Sequence, residues 1–307
     1  MNFSSRKDQA KKDRTQKDQA VKNQSVKNRT ESVLLAGCGD LGQRVARQLL
    51  ARGDAVWALR RHPPAADDSG IRWLQGDLTR PETLRDLRVG FTSLVYLPTP
   101  DARDEAAYRA VFIDGLRHLL SALDQATLQR VLFVSSSAVY GEHGGDWVDE
   151  STPPDPPGFN GAVLLEAERW LAEQPVASVA LRLAGLYGPG RLQLIERLRA
   201  GRAGVPRGTP HWANRIHIDD AAAAIVHLLD IAAPLPLYLG VDDTPLPLDV
   251  LYDYLAGLLG APAPMEGPAP AGVGSKRLSN ERLRASGFVS RWPDAREGYA
   301  ALLASSI

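Results

Sequence analysis

Residues 32–53 read SVLLAGCGDLGQRVARQLLARG, and no other stretch narrows the fold as much. SVLLAG is a short apolar run with a β-branched residue and a terminal glycine, the pattern of a buried strand. LGQRVARQLLARG then sets Leu41, Val45, Leu49 and Leu50 at helical spacing and closes on Gly53. Between the two lies GCGDLG, a GxGxxG. Glycines at this spacing arise by chance, but between a strand and a helix each has a task. Gly37 makes the tight turn, Gly39 lets the backbone approach a pyrophosphate, and Gly42 lets the helix pack on the strand. With Asp40 and Leu41 they open a helix whose free N–H groups and positive dipole end favour phosphates. The pattern predicts a dinucleotide site; the alternative is a glycine-rich turn without a ligand.

The chain beyond repeats the alternation. DAVWALRR, IRWLQGDL, TSLVYLPTP, RVLFVSSSAVYG and VASVALRLAGLYG read as further strands, with a long helical stretch at ARDEAAYRAVFIDGLRHLLSALDQA. Strands alternating with helices predict an α/β fold, a Rossmann-like doubly wound parallel sheet. Runs such as SLVYL and VLFV suit strands buried on both faces. After Tyr187 the texture changes to amphipathic helices (RLQLIERLRAGRAG, RIHIDDAAAAIVHLLDIA, PLDVLYDYLAGLLG) and a short PLYLGVDD strand. Asp219 or Asp220 is the expected N-cap of the second helix, and KRLSNERLRASGF reads as the final one. The expected division is a Rossmann domain over 32–186 and a smaller, mostly helical substrate lobe over 187–307, packed closely on it.

Residues 1–31 differ. They hold nine Lys/Arg and four Asp/Glu in a loose KDQA/VKN repeat, and lack the apolar segment of a secretory signal. They read as a disordered polar tail, with a tether to nucleic acid or a partner as the alternative. Over 307 residues Lys+Arg and Asp+Glu are 36 each, a formal net charge of zero, which argues against nucleic acid as the main partner. One cysteine excludes an intrachain disulfide framework, and the six His show no zinc spacing, so no metal is expected. No run of 18 apolar residues predicts a membrane helix, and a cytoplasmic location is expected.

The end of the second strand bears on which dinucleotide binds. A carboxylate there would hold the ribose 2′-OH of NAD. This chain has Arg60 and Arg61, with no acid before Asp67. A guanidinium suits a 2′-phosphate and stacks on adenine, so NADP(H) is expected over NAD(H). The alternative is a pair of solvated surface charges. Asp77 and Leu78, in GDL after the third strand, fall beside the adenine; Asp77 could equally cap the 81–87 segment. Cys38 reads as a small space-filler within the loop.

GCGDLG, GDLTRPETL, VLFVSSSAVYG, WVDESTPP, LRLAGLYGPGR, NRIHIDDAAAA and KRLSNERLRASGF, in this order, resemble the extended short-chain dehydrogenase/reductase superfamily. More narrowly they are similar to the NAD(P)-dependent epimerase/dehydratase proteins of nucleotide-sugar metabolism. The resemblance runs from Ser32 to about Tyr299. It implies that Ser136, four residues before the Tyr of VYG, bonds a substrate oxygen undergoing hydride transfer. Ser137 stands where dehydratases of the group carry an acid, which disfavours sugar dehydration. The alternative for these serines is strand-end capping. The resemblance also implies a nucleotide sugar or another small carbonyl compound as substrate. A homodimer through the helices at 102–125 and 161–173 is a further implication.

One departure stands out. The family carries YxxxK at the start of the next helix, with Glu four residues beyond the Lys. In PPGFNGAVLLEAERWL, anchoring on Glu168 puts Asn160 and Leu164 at those positions; anchoring on Glu166 gives Gly158 and Ala162. No register restores the pair, and Asn cannot exchange a proton usefully near neutral pH. The chain is thus similar to the atypical branch. Tyr140, His143 and Tyr187 are candidate substitutes near the sheet's carboxyl edge. Arg182 and Arg191 are candidates for phosphates. Arg215 and His217 are candidates for a substrate diphosphate or for packing between lobes. Two readings follow: an NADP(H)-dependent oxidoreductase or epimerase without the usual pair, or a noncatalytic NADP(H)-binding sensor.

Overall fold

The computed structural model describes residues 31–87 and 90–304; the polar tail up to Thr30 lies outside them. Seven strands form one parallel sheet: β1 (Ser32–Ala36), β2 (Ala55–Arg60), β3 (Arg72–Gln75), β4 (Ser93–Tyr96), β5 (Arg130–Ser136), β6 (Ala177–Leu183) and β7 (Leu237–Gly240). Their spatial order is β7-β6-β5-β4-β1-β2-β3, with every pairing parallel. This is the doubly wound arrangement expected. The order reverses between β1 and β4, so the crevice for a ligand opens there, at the strands' carboxyl ends. β4 is buried throughout and β1 nearly so, as sheets covered on both faces require.

Helix α1 (Asp40–Ala51) follows β1 and buries Leu41, Val45 and Leu49. The stretch between β4 and β5 is helical but not uniform. Its α-helical turns at Glu105–Arg109 and Leu116–Ala122, together α2, are joined by a π-helical segment, Ala110–Gly115. Helix α3 (Phe159–Ala172) precedes β6.

The chain returns to the sheet after Tyr187. β7 pairs with β6, so the PLYLG segment completes the sheet rather than standing apart in the second lobe. Helix α5 (Ile218–Asp230) packs on α1. A separate hydrophobic cluster gathers Tyr187, at the end of the short strand Gly185–Tyr187, with Ile195, Leu198, Leu251, Leu255 and Tyr299 from α4 (Gln193–Arg199), α6 (Leu248–Leu259) and α8 (Ala295–Ala304). Gly260 closes α6 in the left-handed conformation. Two expectations are corrected at the carboxyl end. KRLSN is not the start of a final helix: Arg277–Leu278 pair with Trp147–Val148, and only Glu281–Ala285 is helical, as α7. The last helix is α8, whose apolar side faces α6. The N-cap of α5 is His217, not an aspartate: its Nδ1 accepts from the Asp219 amide at 3.2 Å.

Candidate active site

The glycine loop shows why these residues are glycine. Gly37 has φ +99°, and a Cβ there would lie 2.4 Å from Cα of Pro98, in the chain leaving β4. A Cβ on Gly42 would meet the Gly37 carbonyl at 3.1 Å. Gly39 is different: nothing lies within 4 Å of a Cβ built on it. The first and third glycines serve the protein's own packing, while the second faces open space at the head of α1. Two adjoining cavities meet here. One, of about 230 Å³, runs past Arg60, His62 and Asp77. The other, of about 250 Å³, runs past Leu97, Ser136, Ala184 and Arg191. Both are lined by Gly37, Gly39, Pro98 and Thr99, so they form one groove across the switch point.

At the Arg60 end, the Arg60 guanidinium lies 5.8 Å from the Trp73 ring. Arg61 is not free: it forms a two-pronged pair with Asp101, with Nη2 donating to Oδ1 at 2.6 Å. Asp77 Oδ1 accepts from the amide and hydroxyl of Thr79 at 2.9 and 2.8 Å. It therefore builds its own turn and does not cap the short helix at Pro81–Leu84, whose N-cap is Arg80. Leu78 lines the same wall, as does His62, which the sequence reading missed. Cys38 is buried, and burial pushes its thiol to about 11 against the pull of Arg60. That suits a space-filler, not a nucleophile.

At the other end, Ser136 Oγ accepts from the Ala138 amide at 3.2 Å, which leaves its O–H free to donate into the groove. Ser137 begins the following 3₁₀ turn and is not part of the groove lining. Ser135 donates to Glu168 Oε1. Arg191 lines the groove with Nε 3.5 Å from Asp40 Oδ2. The other candidates turn elsewhere. Arg182 is buried, with Nη2 bonded to Glu168 at 2.6 Å and Nη1 to the Tyr140 hydroxyl at 2.7 Å, so it has no hand left for a phosphate. Tyr140 in turn donates to the Asp149 carbonyl at 3.1 Å, and burial raises its pKa; its hydroxyl is a structural link. Tyr187 stacks on Tyr299 at 4.2 Å with its hydroxyl buried, which pushes its pKa up. His217 is buried against Tyr187 and Trp292 as a helix cap, and burial lowers its pKa. Arg215 bonds the Asn214 carbonyl at 3.3 Å and the Tyr299 hydroxyl. For Arg215 and His217 the packing alternative is what the geometry displays. His143 keeps a buried Nε2 that finds no hydrogen-bond partner among the described residues.

The start of α3 carries the departure in three dimensions. A Cβ on Gly161 would lie 2.2 Å from the Ala138 carbonyl, so the helix begins hard against the turn after Ser136. Asn160 is half-buried there. Leu164 is 5 % exposed and belongs to the main core, which leaves no cation at that position. Glu168 holds Arg182, while Glu166 pairs with Arg109 on α2 at 2.8 Å. Three side chains that the sequence reading passed over, Glu142, His211 and Lys276, come together beyond Tyr140. No local sequence pattern marks them. Among the described residues no group of three or more His, Cys, Asp or Glu could hold a metal, and no helix is long and apolar enough to cross a membrane.

Residues 33–235 match the family model described as the NAD dependent epimerase/dehydratase family. Protein YeeZ of Escherichia coli K12 is 30 % identical over 275 residues, covering 86 % of this chain and 97 % of its own. A chain from Methylobacillus flagellatus described as an NAD-dependent epimerase/dehydratase is 42 % identical. It covers 91 % of this chain and 99 % of its own, with a TM-score of 0.78. MoeE5, solved with UDP-glucose and NAD, is 25 % identical and covers 90 % and 98 % with a TM-score of 0.74.

Proposed function

The chain belongs to the NAD dependent epimerase/dehydratase family, and from that premise we propose that it is an NADP(H)-using oxidoreductase acting on a nucleotide sugar or another small carbonyl compound. The observation that carries this reading is the single groove from Arg60, past Gly37 and Gly39, to Ser136. The groove fits a dinucleotide: the space beside Gly39 is what a Cβ would fill, and the amides at the head of α1 face it. Gly37, Gly39, Asp40, Leu41 and Gly42 form the pyrophosphate cradle, and Arg191 offsets the negative charge that Asp40 brings to it. Arg60 meets the 2′-phosphate, and Asp77 and Leu78 flank the adenine. Arg61 would have to leave Asp101 to join it.

A bound nicotinamide supplies a hydride acceptor or donor. Ser136 directs its hydroxyl proton to the substrate oxygen and so polarises the carbonyl. Substrate class follows the UDP-glucose complex of MoeE5, a relative in fold and sequence. A cytoplasmic homodimer across the outer faces of α2 and α3 belongs to the same reading, and sedimentation at several concentrations checks it.

The test is a titration with NADPH and NADH followed by fluorescence. Arg60→Asp should weaken NADPH binding roughly a hundredfold and NADH binding little, the size of a lost charge-assisted contact. An unchanged preference removes the NADP assignment. One observation favours the sensor reading: Leu164, buried in the core, stands at the position the family gives to Lys. Turnover of any member of a nucleotide-sugar library with the preferred dinucleotide decides against it.

A further inference from the structure

Helix α2 leaves α geometry in one segment, and that segment reaches the groove. Ala110–Gly115 is π-helical. A π turn closes i→i+5 bonds in place of i→i+4, is rare, and occurs frequently at functional sites. Tyr96, the last residue of β4, supports this one from outside the helix. Its ring is fully buried and stacks on Phe133 at 5.9 Å. Its hydroxyl donates to the Val111 carbonyl at 2.5 Å. Val111 lines the Arg60 end of the groove together with Leu59, Asp77 and Leu78.

Gly115 and His118 follow Val111 by four and seven residues, on the same side of α2. A Cβ on Gly115 would lie 3.0 Å from Cβ of Leu78 and 3.1 Å from the Tyr96 hydroxyl. The missing side chain lets the end of β4, the helix and the turn after β3 meet at one point. His118 Nδ1 lies 3.0 Å from the Leu78 carbonyl. A carbonyl only accepts, so Nδ1 carries the hydrogen and donates. Asp77 is held differently, by Thr79 and Thr83 within its own turn. Two bonds thus tie the Val111 and Leu78 backbones to the elements behind them. Neither Tyr96 nor His118 is part of the cavity lining; each holds the backbone of a residue that is.

We propose that Tyr96 and His118 are positioning residues, which set how closely the wall made by Val111 and Leu78 stands to the adenine of a bound dinucleotide. The proposal rests on the reading that the adenine half occupies the Arg60 end of the groove. A wall held at fixed depth grips adenine and rejects a base enlarged at its edge. Release of either carbonyl lets the wall give way, which weakens the grip on adenine and makes room for the larger base. The two side chains therefore act on base selectivity as well as on affinity.

The test titrates the full chain with NADP⁺ and NAD⁺, each beside its ethenoadenine analogue, whose added ring enlarges the base. Tyr96→Phe, His118→Ala and His118→Asn are measured in parallel, and the unfolding of each is followed without nucleotide. The parent is expected to bind the adenine forms more tightly. Tyr96→Phe and His118→Ala should bind them roughly threefold to tenfold more weakly, the scale of one hydrogen bond, and lose little for the analogues. The ratio of the two affinities then falls towards one. His118→Asn, whose amide donates in place of the ring N–H, should restore it. A parent without preference, equal weakening of both forms, or lost stability at an unchanged ratio assigns the two residues to packing and overturns the proposal. Should His118→Ala not fold, Tyr96→Phe, which removes a single oxygen, carries the test. A parent that binds no dinucleotide removes the cofactor reading itself, and that outcome is seen separately from an unchanged ratio in the variants.

Discussion

Two helix starts form junctions with turns at the sheet's carboxyl edge, and they differ in what they leave open. After β1, Gly37 is pressed against Pro98 and Gly42 against the loop, yet the space beside Gly39 is free. At the start of α3, Gly161 is pressed against Ala138 just as tightly, but the side chain one turn on is Leu164, closed into the core. Both junctions keep the packing that sets helix against sheet. Only the first also keeps room and donors for a ligand. Packing and chemistry are separable demands on the same backbone geometry, and a helix start can retain the first after losing the second.

The largest effect should come from breaking the packing at the second junction. Glu168 is the counter-charge of Arg182, and both are nearly sealed from solvent. Glu168→Gln leaves a guanidinium short of its anion and weakens the bond that the Ser135 hydroxyl donates to this side chain. A loss of about 3–5 kcal/mol is expected by chemical denaturation. A loss below about 1 kcal/mol would mean that the junction is not held by this network, and the comparison would fail.

A buried carboxyl with no ion pair among the described residues should behave in the opposite way. Asp242 follows β7, and burial beside Asp294 pushes it to about 8 from an ordinary 3.8. The folded chain therefore keeps a proton that the unfolded chain releases between those values. Stability from this group is complete below about pH 4 and falls as pH rises towards 8, by up to about 1.4 kcal/mol per pH unit. Asp242→Asn should melt progressively higher than the parent as pH goes from 5 to 8. A constant gap across that range would show that Asp242 is ionised in the fold.

At the first junction, Gly37→Ala forces a side chain into φ +99° and onto Pro98. The expected cost is about 1–3 kcal/mol, with dinucleotide binding weakened in the same titration. Gly161→Ala should cost stability as well but leave NADPH affinity near that of the parent. Equal loss of affinity in both would erase the distinction between a ligand junction and a packing junction.

The sheet was legible because its signals are local: apolar runs, a GxGxxG between strand and helix, and turn glycines. β7 was placed in the wrong lobe because edge pairing with β6 is set by the return of the chain after α5, which no local pattern reports. The groove end at Gly37–Gly42 was legible for the same reason as the sheet. Arg182 and Tyr140 were not. Their types and positions near the carboxyl edge suit a ligand, and only the fold brings Glu168 beneath them. That His217 rather than Asp219 or Asp220 caps its helix was not legible, because an imidazole capping through Nδ1 has no distinctive sequence context. Lys276 and His211 lie 65 positions apart, and their segments meet where the Ser275 hydroxyl donates to the Pro210 carbonyl at 3.2 Å.

The smallest effect is expected two residues before Glu168. Glu166 also makes a two-pronged pair, with Arg109, both N–O distances 2.8 Å, but the two side chains are about four-tenths exposed. Water screens the attraction and already solvates each partner, so the geometry confers little stability. Glu166 is held below the usual carboxylate range by Arg109, which predicts a faint loss of support only as pH falls through the acidic range. Glu166→Gln should unfold at the same denaturant concentration as the parent at neutral pH, while Glu168→Gln unfolds much earlier. Two carboxylates on one helix, each bonded to an arginine, would then differ chiefly by burial. A matching loss in Glu166→Gln would instead assign the stability of this junction to the contact between α2 and α3, and the outer faces of those helices would become the region to explain.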